Sequence, residues 1–356
     1  MPLPLEIYEI IVSHVPDHLP TLISLCLTSR ALAQCGQQRL YESFRTDRWH
    51  NVHANPTRFL DTILRNIHLA YHVRELVTPC RDSCEPQTLT AALPLMTNLK
   101  SFTIFAFSAA FIELVLRTLL DCSFQLVELR WNWVIKNPDP FHADLMTRFI
   151  SHQTHLRSLS LKMTPIPFPP KNALTSLKAL STTCENIQII LPGRCIETLD
   201  CVYLDADDPD FDNMSPDSPL AIPFETIKRL CLGIGSLWFR NMEKYLPSLD
   251  VLQTSIITVR EYNLIASSLP HLRIIHITRE ASSTEQVTMS KWLFSALREL
   301  EYVIWGSPFT ARSPLAQPRY HCWSHESFKP IILDARQVHE QTGLLLLDRL
   351  LPTPSD

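Results

Sequence analysis

Along most of this chain, apolar residues recur as apolar-x-x-apolar, often with a third apolar residue two positions on. The pattern begins as Val73…Leu76, Leu99…Phe102…Ile104, Leu126…Leu129…Trp131, Leu156…Leu159…Leu161 and Leu177…Leu180. It continues as Ile196…Leu199…Cys201, Ile227…Leu230…Leu232, Leu249…Leu252, Leu272…Ile275…Ile277 and Leu297…Leu300…Tyr302. The spacing averages about 25 residues and is irregular, with single steps between 19 and 31. With 46% hydrophobic residues, one such match is uninformative. What decides is the material between the matches. Helix-like stretches at 111–120, 144–150, 239–246, 262–269 and 289–297 separate the short strand-like runs. A repeated strand–turn–helix unit cannot bury its own apolar face, and stacking many units makes one continuous core. The pattern therefore predicts an α/β solenoid with a parallel sheet over 73–356. An acidic insertion at 205–223 and a C-terminal capping segment at 307–356 interrupt it, the latter holding Gly343 to Leu351.

The first 45 residues follow another rhythm. Leu5, Ile7, Ile10, Ile11 and Val15 have helical spacing, and Pro4 suits a first turn, where its missing N–H would have no partner. A second short helix, opened by Pro20, carries Leu22, Ile23, Leu25, Cys26 and Leu27. Thr28 or Ser29 caps a third, which runs through Leu32, Ala33, Leu40, Tyr41 and Phe44. So small a unit buries too little surface to stand alone, and helices this apolar want a partner. Residues 46–72 read as a helical linker.

Composition sharpens this reading. The chain of 356 residues holds 53 Leu but only 6 Gly, and neither G-x-G-x-x-G nor G-x-x-x-x-G-K-[ST] occurs, so nucleotide-binding loops lose support. The net charge of −4 and the absence of a basic run argue against nucleic acid as a main partner. The 10 Cys are scattered and read as buried free thiols. No membrane span and no secretory signal are predicted: the most apolar window, 102–120, contains Glu113 and Arg117, and the N-terminus lacks a basic region with a cleavage site.

Leu3-Pro4-Leu5-Glu6-Ile7, Ile10-Ile11, Val15-Pro16, the run from Leu22 to Arg30, and Leu40-Tyr41-Glu42-Ser43-Phe44 resemble an F-box. Leu32 stands where the motif often has Trp, and Leu-Tyr where Leu-Trp is usual, as in F-box-like variants of fungal proteins. The repeats resemble the irregular leucine-rich repeats of fungal F-box proteins. Phe59 to Leu64 with His72 to Leu76, and Leu191-Pro192-Gly193-Arg194-Cys195, carry that likeness, Cys195 replacing a Pro. The resemblance implies a three-helix module over 1–45, followed by a leucine-rich-repeat horseshoe. It also implies a cytoplasmic or nuclear substrate receptor that docks on a Skp-family adaptor and so joins a cullin ubiquitin ligase. Leu3, Pro4, Ile7, Ile11, Leu22, Leu25 and Leu27 are the implied adaptor contacts, some of which can instead be the module's internal core. A different reading remains open: a repeat scaffold whose F-box-like segment only caps the solenoid.

Other candidate chemistry is weaker. Asp205, Asp207, Asp208, Asp210, Asp212 and Asp217 suggest calcium, but the central Gly and final Glu of an EF-hand are missing, and an acidic insertion is the plainer reading. His321-Cys322-x-x-His325 and Cys80-x-x-x-Cys84 lack paired zinc spacing. With no G-x-S-x-G or H-E-x-x-H, no catalysis, metal or cofactor is expected. Trp131 is expected in the core. Trp133 and Trp305 fall at or past strand ends and are candidate contacts for a protein substrate, with Arg229, Arg273 and Arg298 on the exposed strand positions. Arg130, Arg157 and Lys178 add to that basic set, which hints at an acidic or phosphorylated partner.

Overall fold

A computed structural model describes residues 4–15, 19–45, 55–80, 86–106, 108–133, 139–162, 167, 169–170, 172–201, 224–232, 246–254, 263, 265–267, 269, 271–279, 281–306, 319–325, 327–334 and 337–338. Side chains within these ranges are described except those of residues 19, 79, 80, 106, 133, 162, 184, 185, 327 and 328. The predicted acidic insertion, the proline-rich 307–318 and the run Gly343 to Leu351 lie outside the described residues, as does most of the helix expected at 239–246. The chain forms two compact units, Met1–Ser176 and Leu177–Asp356.

In the first unit, α1 (Leu5–His14), α2 (Leu19–Thr28) and α3 (Arg30–Glu42) precede β1 (Ser43–Arg45). Then follow α4 (Pro56–Arg65), α5 (Ile67–Ala70), β2 (Glu75–Cys80), α6 (Pro86–Ala92), β3 (Ser101–Ala106), α7 (Ala109–Leu120), β4 (Glu128–Trp133), α8 (Pro140–His152) and β5 (Ser158–Lys162). Local chemistry starts several helices. Ser29 accepts the Leu32 N–H, Asn55 that of Arg58 ahead of Pro56, and Asp139 that of Phe141 ahead of Pro140.

The strands β1 to β5 pair in parallel and in chain order. Their register turns the sequence pattern into two ladders, Phe44–Leu76–Phe102–Leu129–Leu159 and Thr78–Ile104–Trp131–Leu161. From Leu76 onward, no rung of either ladder is more than 1% exposed. Val73, Leu99, Leu126 and Leu156, three positions before each first rung, are 0% exposed. Each such side chain contributes about 1.5–3 kcal/mol through burial. The backbone repeats as well. The Arg74 carbonyl accepts from the N–H groups of Lys100 and Ser101, that of Lys100 from Val127 and Glu128, and that of Val127 from Arg157 and Ser158. One carbonyl thus anchors the entry of each following strand, whatever the loop length between them, and this is why the repeats tolerate irregular spacing.

The second unit repeats the scheme with β6 (Ala179–Thr182), α9 (Cys184–Ile190), β7 (Thr198–Cys201), β8 (Arg229–Leu232), β9 (Val251–Thr254), β10 (Ile274–Ile277), α10 (Ser283–Ala296) and β11 (Tyr302–Trp305). These six strands are parallel, with ladders Leu180–Leu199–Leu230–Leu252–Ile275–Val303 and Thr182–Cys201–Leu232–Thr254–Ile277–Trp305. In the described part of the expected capping segment, β12 (Tyr320–Ser324) and β13 (Ser327–Leu333) add antiparallel to β11. Pro330 lies in β13, the terminal strand, where a residue without an N–H discourages further strand addition.

One expectation is corrected by the register of the sheet. The last repeat was framed as Leu297…Leu300…Tyr302, but Ile275 pairs with Val303 and Ile277 with Trp305. The true frame is Leu300…Val303…Trp305, three residues later. Leu297 is instead the C-cap of α10, buried just after the apolar turn Trp292-Leu293-Phe294 that ends this helix. The segment expected as a helical linker does hold two helices, α4 and α5, and ahead of it α3 runs directly into β1, a strand of the sheet. Phe59 of α4 stacks on Phe44 at 4.1 Å and on Tyr41 at 5.8 Å, so the segment read as a linker packs against the end of the module.

Within the module, Val12, Leu22 and Cys35 form a small core flanked by Tyr8, Val15, Leu25, Leu32 and Leu40. Gly36 lets α2 and α3 approach closely, since a Cβ there would lie 2.5 Å from Cys26 Sγ. Gly36→Ala should gain roughly 0.5–1 kcal/mol of helix propensity yet lose about 1–3 kcal/mol to overpacking, giving a net loss. Combining it with Cys26→Ala, which removes the obstructing sulfur, is expected to restore at least half of that loss in urea denaturation. An additive double variant would show that the two residues do not compete for space.

Candidate interaction surfaces

The N-terminal helices bury less than their composition asks. On α1, Val12 is the buried residue, while Leu5, Ile7, Ile10 and Ile11 are 39–55% exposed. On α2, Leu22 faces the module core, while Ile23 is 45% and Leu27 83% exposed. Both helices pack on α3 by their other sides. The C-terminal carbonyls of α1 are held by Arg39, which donates to Val12 O and Ser13 O at 2.7 Å each. Each helix therefore presents an apolar stripe to solvent from a fixed position.

The expected adaptor contacts divide accordingly. Pro4, Ile7, Ile11 and Leu27 are outward. Leu22 and the half-buried Leu25 belong to the internal core, because the helical period turns them toward α3, and Leu3 lies outside the described residues. Ile10 and Ile23, outside the expected set, are exposed beside them. Helical periodicity groups apolar residues without telling which side is buried, and here both sides are apolar.

Beneath the module, a cleft of about 940 Å³ opens between α1, α3 and the first two strands. Its floor is Val12, Leu22, Cys35 and Leu40, and its rim carries charges that largely meet one another. Arg45 contacts Glu75 at 2.6 Å, and Arg74 contacts Glu42 at 3.4 Å.

On the sheet face opposite the first unit's leucine ladders, Glu75, Ser101, Glu128 and Ser158 lie in register. So do Val77, Thr103, Arg130 and Ser160. Arg130 is paired with Glu128 at 2.5 Å, and the Ser101 hydroxyl donates to Glu128. Burial raises the pKa of Glu75, but hydrogen bonds from Arg45 and Ser43 and the charges of Arg45 and Arg130 outweigh it and hold it below the ordinary carboxylate range.

The basic strand positions do not form a free cationic surface. Arg273 is held by Glu301 through two bonds of 2.8 and 3.0 Å, and Lys178 by Glu197 at 2.8 Å. The Glu197 carboxyl is held low by its hydrogen bond from Lys178 and the Lys178 charge. These partners sit at matching positions of neighbouring repeats, so Lys178 and Arg273 each meet an acid one strand away. Arg229 is half-buried at the start of β8. Arg298, counted as a strand residue in the mistaken frame, lies exposed in the turn before β11.

Trp305 does end β11, but its side chain does not reach outward. It is 1% exposed on the ladder face and donates its indole N–H to Ser290 Oγ at 3.0 Å. Trp131 occupies the equivalent position in β4 and is 0% exposed. Trp133 ends β4, and its side chain lies outside the described residues. On the opposite face of the second unit, Val251, Ile274 and Ile304 pack with Tyr320, Cys322, Leu333 and Val338 in one apolar cluster.

The zinc candidate His321-Cys322 does not converge, because neighbours on a strand face opposite ways. His321 meets Gln286 Oε1 at 2.8 Å, while Cys322 joins the cluster around Ile304. None of the seven cysteines whose side chains are described forms a disulfide, and burial pushes the thiols of Cys122 and Cys322 up to about 12 and about 11, leaving them protonated at neutral pH. Among the described residues, no group of His, Cys, Asp and Glu could hold a metal, and no helix is long and apolar enough to cross a membrane.

No family model matches the sequence, and no curated protein does. Among solved structures, internalin C2 from Listeria monocytogenes is similar over 70% of this chain and 91% of its own, at 14% identity and a TM-score of 0.31. A likeness that distant adds nothing to the fold already seen in the strand order and register.

Proposed function

We propose that this chain is the substrate receptor of a Skp–cullin–F-box ubiquitin ligase, acting in the cytoplasm or nucleus. The N-terminal helices dock on a Skp-family adaptor, and the repeats hold a protein substrate. The chain does no chemistry of its own. By fixing the substrate beside the ubiquitin-loaded conjugating enzyme, it raises the effective concentration of the acceptor lysine. The observation that carries this reading is the pair of exposed apolar stripes, Leu5, Ile7, Ile10 and Ile11 on α1 and Ile23 and Leu27 on α2, in a module that still has its own core. Apolar residues in such number on short helices mark an interface.

A second reading, in which the module only caps a protein-binding scaffold, is favoured by the pairing of β1 with β2. The two roles use different residues and separate experimentally. The full chain, co-expressed with a Skp-family adaptor, should co-purify with it. Ile7→Glu with Ile11→Glu should weaken that association by about 100-fold or more, since each places a charge in an apolar contact. Thermal unfolding should hardly change, because both residues are already wet. Unchanged association in the double variant, or none in the wild type, leaves the capping reading alone.

A further inference from the structure

The residue just before each parallel strand of the second unit is charged, and the sign alternates without a break. Lys178, Glu197, Lys228, Asp250, Arg273 and Glu301 stand ahead of β6 to β11 in that order. The backbone holds them in one row, because the carbonyl of each accepts from the N–H of the next. At ordinary strand spacing the row is about 24 Å long. The side chains of Lys178, Glu197, Lys228, Arg273 and Glu301 are 43–57% exposed, and Asp250 is half-buried. The line two residues earlier is neutral at Ser176, Cys195, Thr226 and Ser248. His271 and Glu299, which complete that line, hold each other at 3.1 Å. The ends of the charged row also satisfy themselves, Lys178 with Glu197 and Arg273 with Glu301 at 2.8 Å each. The centre does not. Lys228 reaches only the already engaged Glu197, at 3.9 Å, and Asp250 has no ion pair among the described residues.

We propose that this row docks a second copy of the chain, in a two-fold dimer whose axis passes between Lys228 and Asp250. The adaptor role is not needed for it. A row of six alternating charges is its own complement when reversed. Laid antiparallel on its copy, Lys228 meets the partner's Asp250 and Asp250 the partner's Lys228, so the two positions least satisfied within the chain gain most. Lys178 opposes the partner's Glu301, and Glu197 the partner's Arg273, in the same way. Both rows have one spacing because they are the same surface, as a two-fold interface requires. Slipping the antiparallel match by one strand puts like charges together, which fixes the register. A partner of single charge would be repelled at every second position, and this is why the fitting occupant carries the same alternation. Exposed ion pairs are individually weak, so the dimer is a reversible, salt-sensitive one.

Sedimentation velocity on the purified full chain, without adaptor, should show a monomer–dimer equilibrium. It should weaken at least 10-fold between about 50 and about 500 mM salt, as screening shortens the reach of the charges. At low salt, Lys228→Glu and Asp250→Lys each place like charges together twice across the axis, and each should weaken association by about 10-fold or more. Mixed in equal amounts, the two variants should pair within about 3-fold of the wild-type strength, since every reversed position then faces its opposite. Such rescue between chains cannot come from folding. A single chain carrying both changes should also dimerise, although the alternation within it is broken. Circular dichroism melts establish that each variant is folded. Should a reversal unfold the chain, Asp250→Asn adds no repulsion and should still weaken the dimer by about 3-fold. A wild type that stays monomeric at about 100 μM in low salt would overturn the proposal. So would folded variants that dimerise like the wild type, or a mixture that stays monomeric. The adaptor pull-down reads other residues, so either assignment can fail alone.

Discussion

Trp305→Ala is expected to lower the stability of the second unit by about 3–5 kcal/mol, enough to abolish its cooperative unfolding transition at moderate urea concentrations. The side chain is 1% exposed, occupies the last rung of a ladder that includes Ile277 and Cys201, and is tied to Ser290 through its indole N–H. Truncation therefore opens a cavity and strands a buried hydroxyl. Trp305→Phe fills most of that volume and should cost about 1–2 kcal/mol, mainly the lost hydrogen bond. Had Trp305 been a loop-end contact residue, either change would stay within about 0.5 kcal/mol. Denaturant titration followed by circular dichroism separates the two, and a loss below 1 kcal/mol for the alanine variant would refute the ladder assignment.

Deleting residues 1–45 should leave the first unit without a cooperative transition. The deletion removes β1, and with it the edge that covers β2, and it removes the aromatic pair that holds Phe59. It also uncovers Leu76, which is 0% exposed in the intact protein. Solenoids need a terminal element with a polar outer side because the open end of the core is otherwise wet. Deleting only residues 1–28 keeps α3 and β1, so the sheet edge survives, and unfolding should remain cooperative with a reduced midpoint. If the longer deletion melts like the full chain, the module is a tethered attachment and β1 is dispensable.

The repeats were legible because the first rung of every described parallel strand is Leu, Ile, Val or Phe and returns in each unit, whereas the second rung also takes Thr or Cys. Nine of the ten framed repeats kept their frame in the register of the sheet or in burial. The tenth slipped at Leu297, where the apolar end of α10 imitates the start of a strand pattern three residues too early. That slip alone moved Trp305 outward and Arg298 onto a strand. The basic residues were legible as exposed strand positions, but their neutralisation was not. Arg273 and Glu301 are 28 residues apart in sequence and become neighbours through parallel pairing.

The sequence by itself determined that this protein is a stack of strand–helix units behind short apolar helices, because period and composition are local properties. Only the tertiary structure decided which sides of α1 and α2 are wet, because an all-round apolar helix has no preferred face until α3 covers one. It also decided that α3 feeds the sheet through β1. Those outcomes depend on register and packing between residues far apart in the chain, where local pattern carries no information.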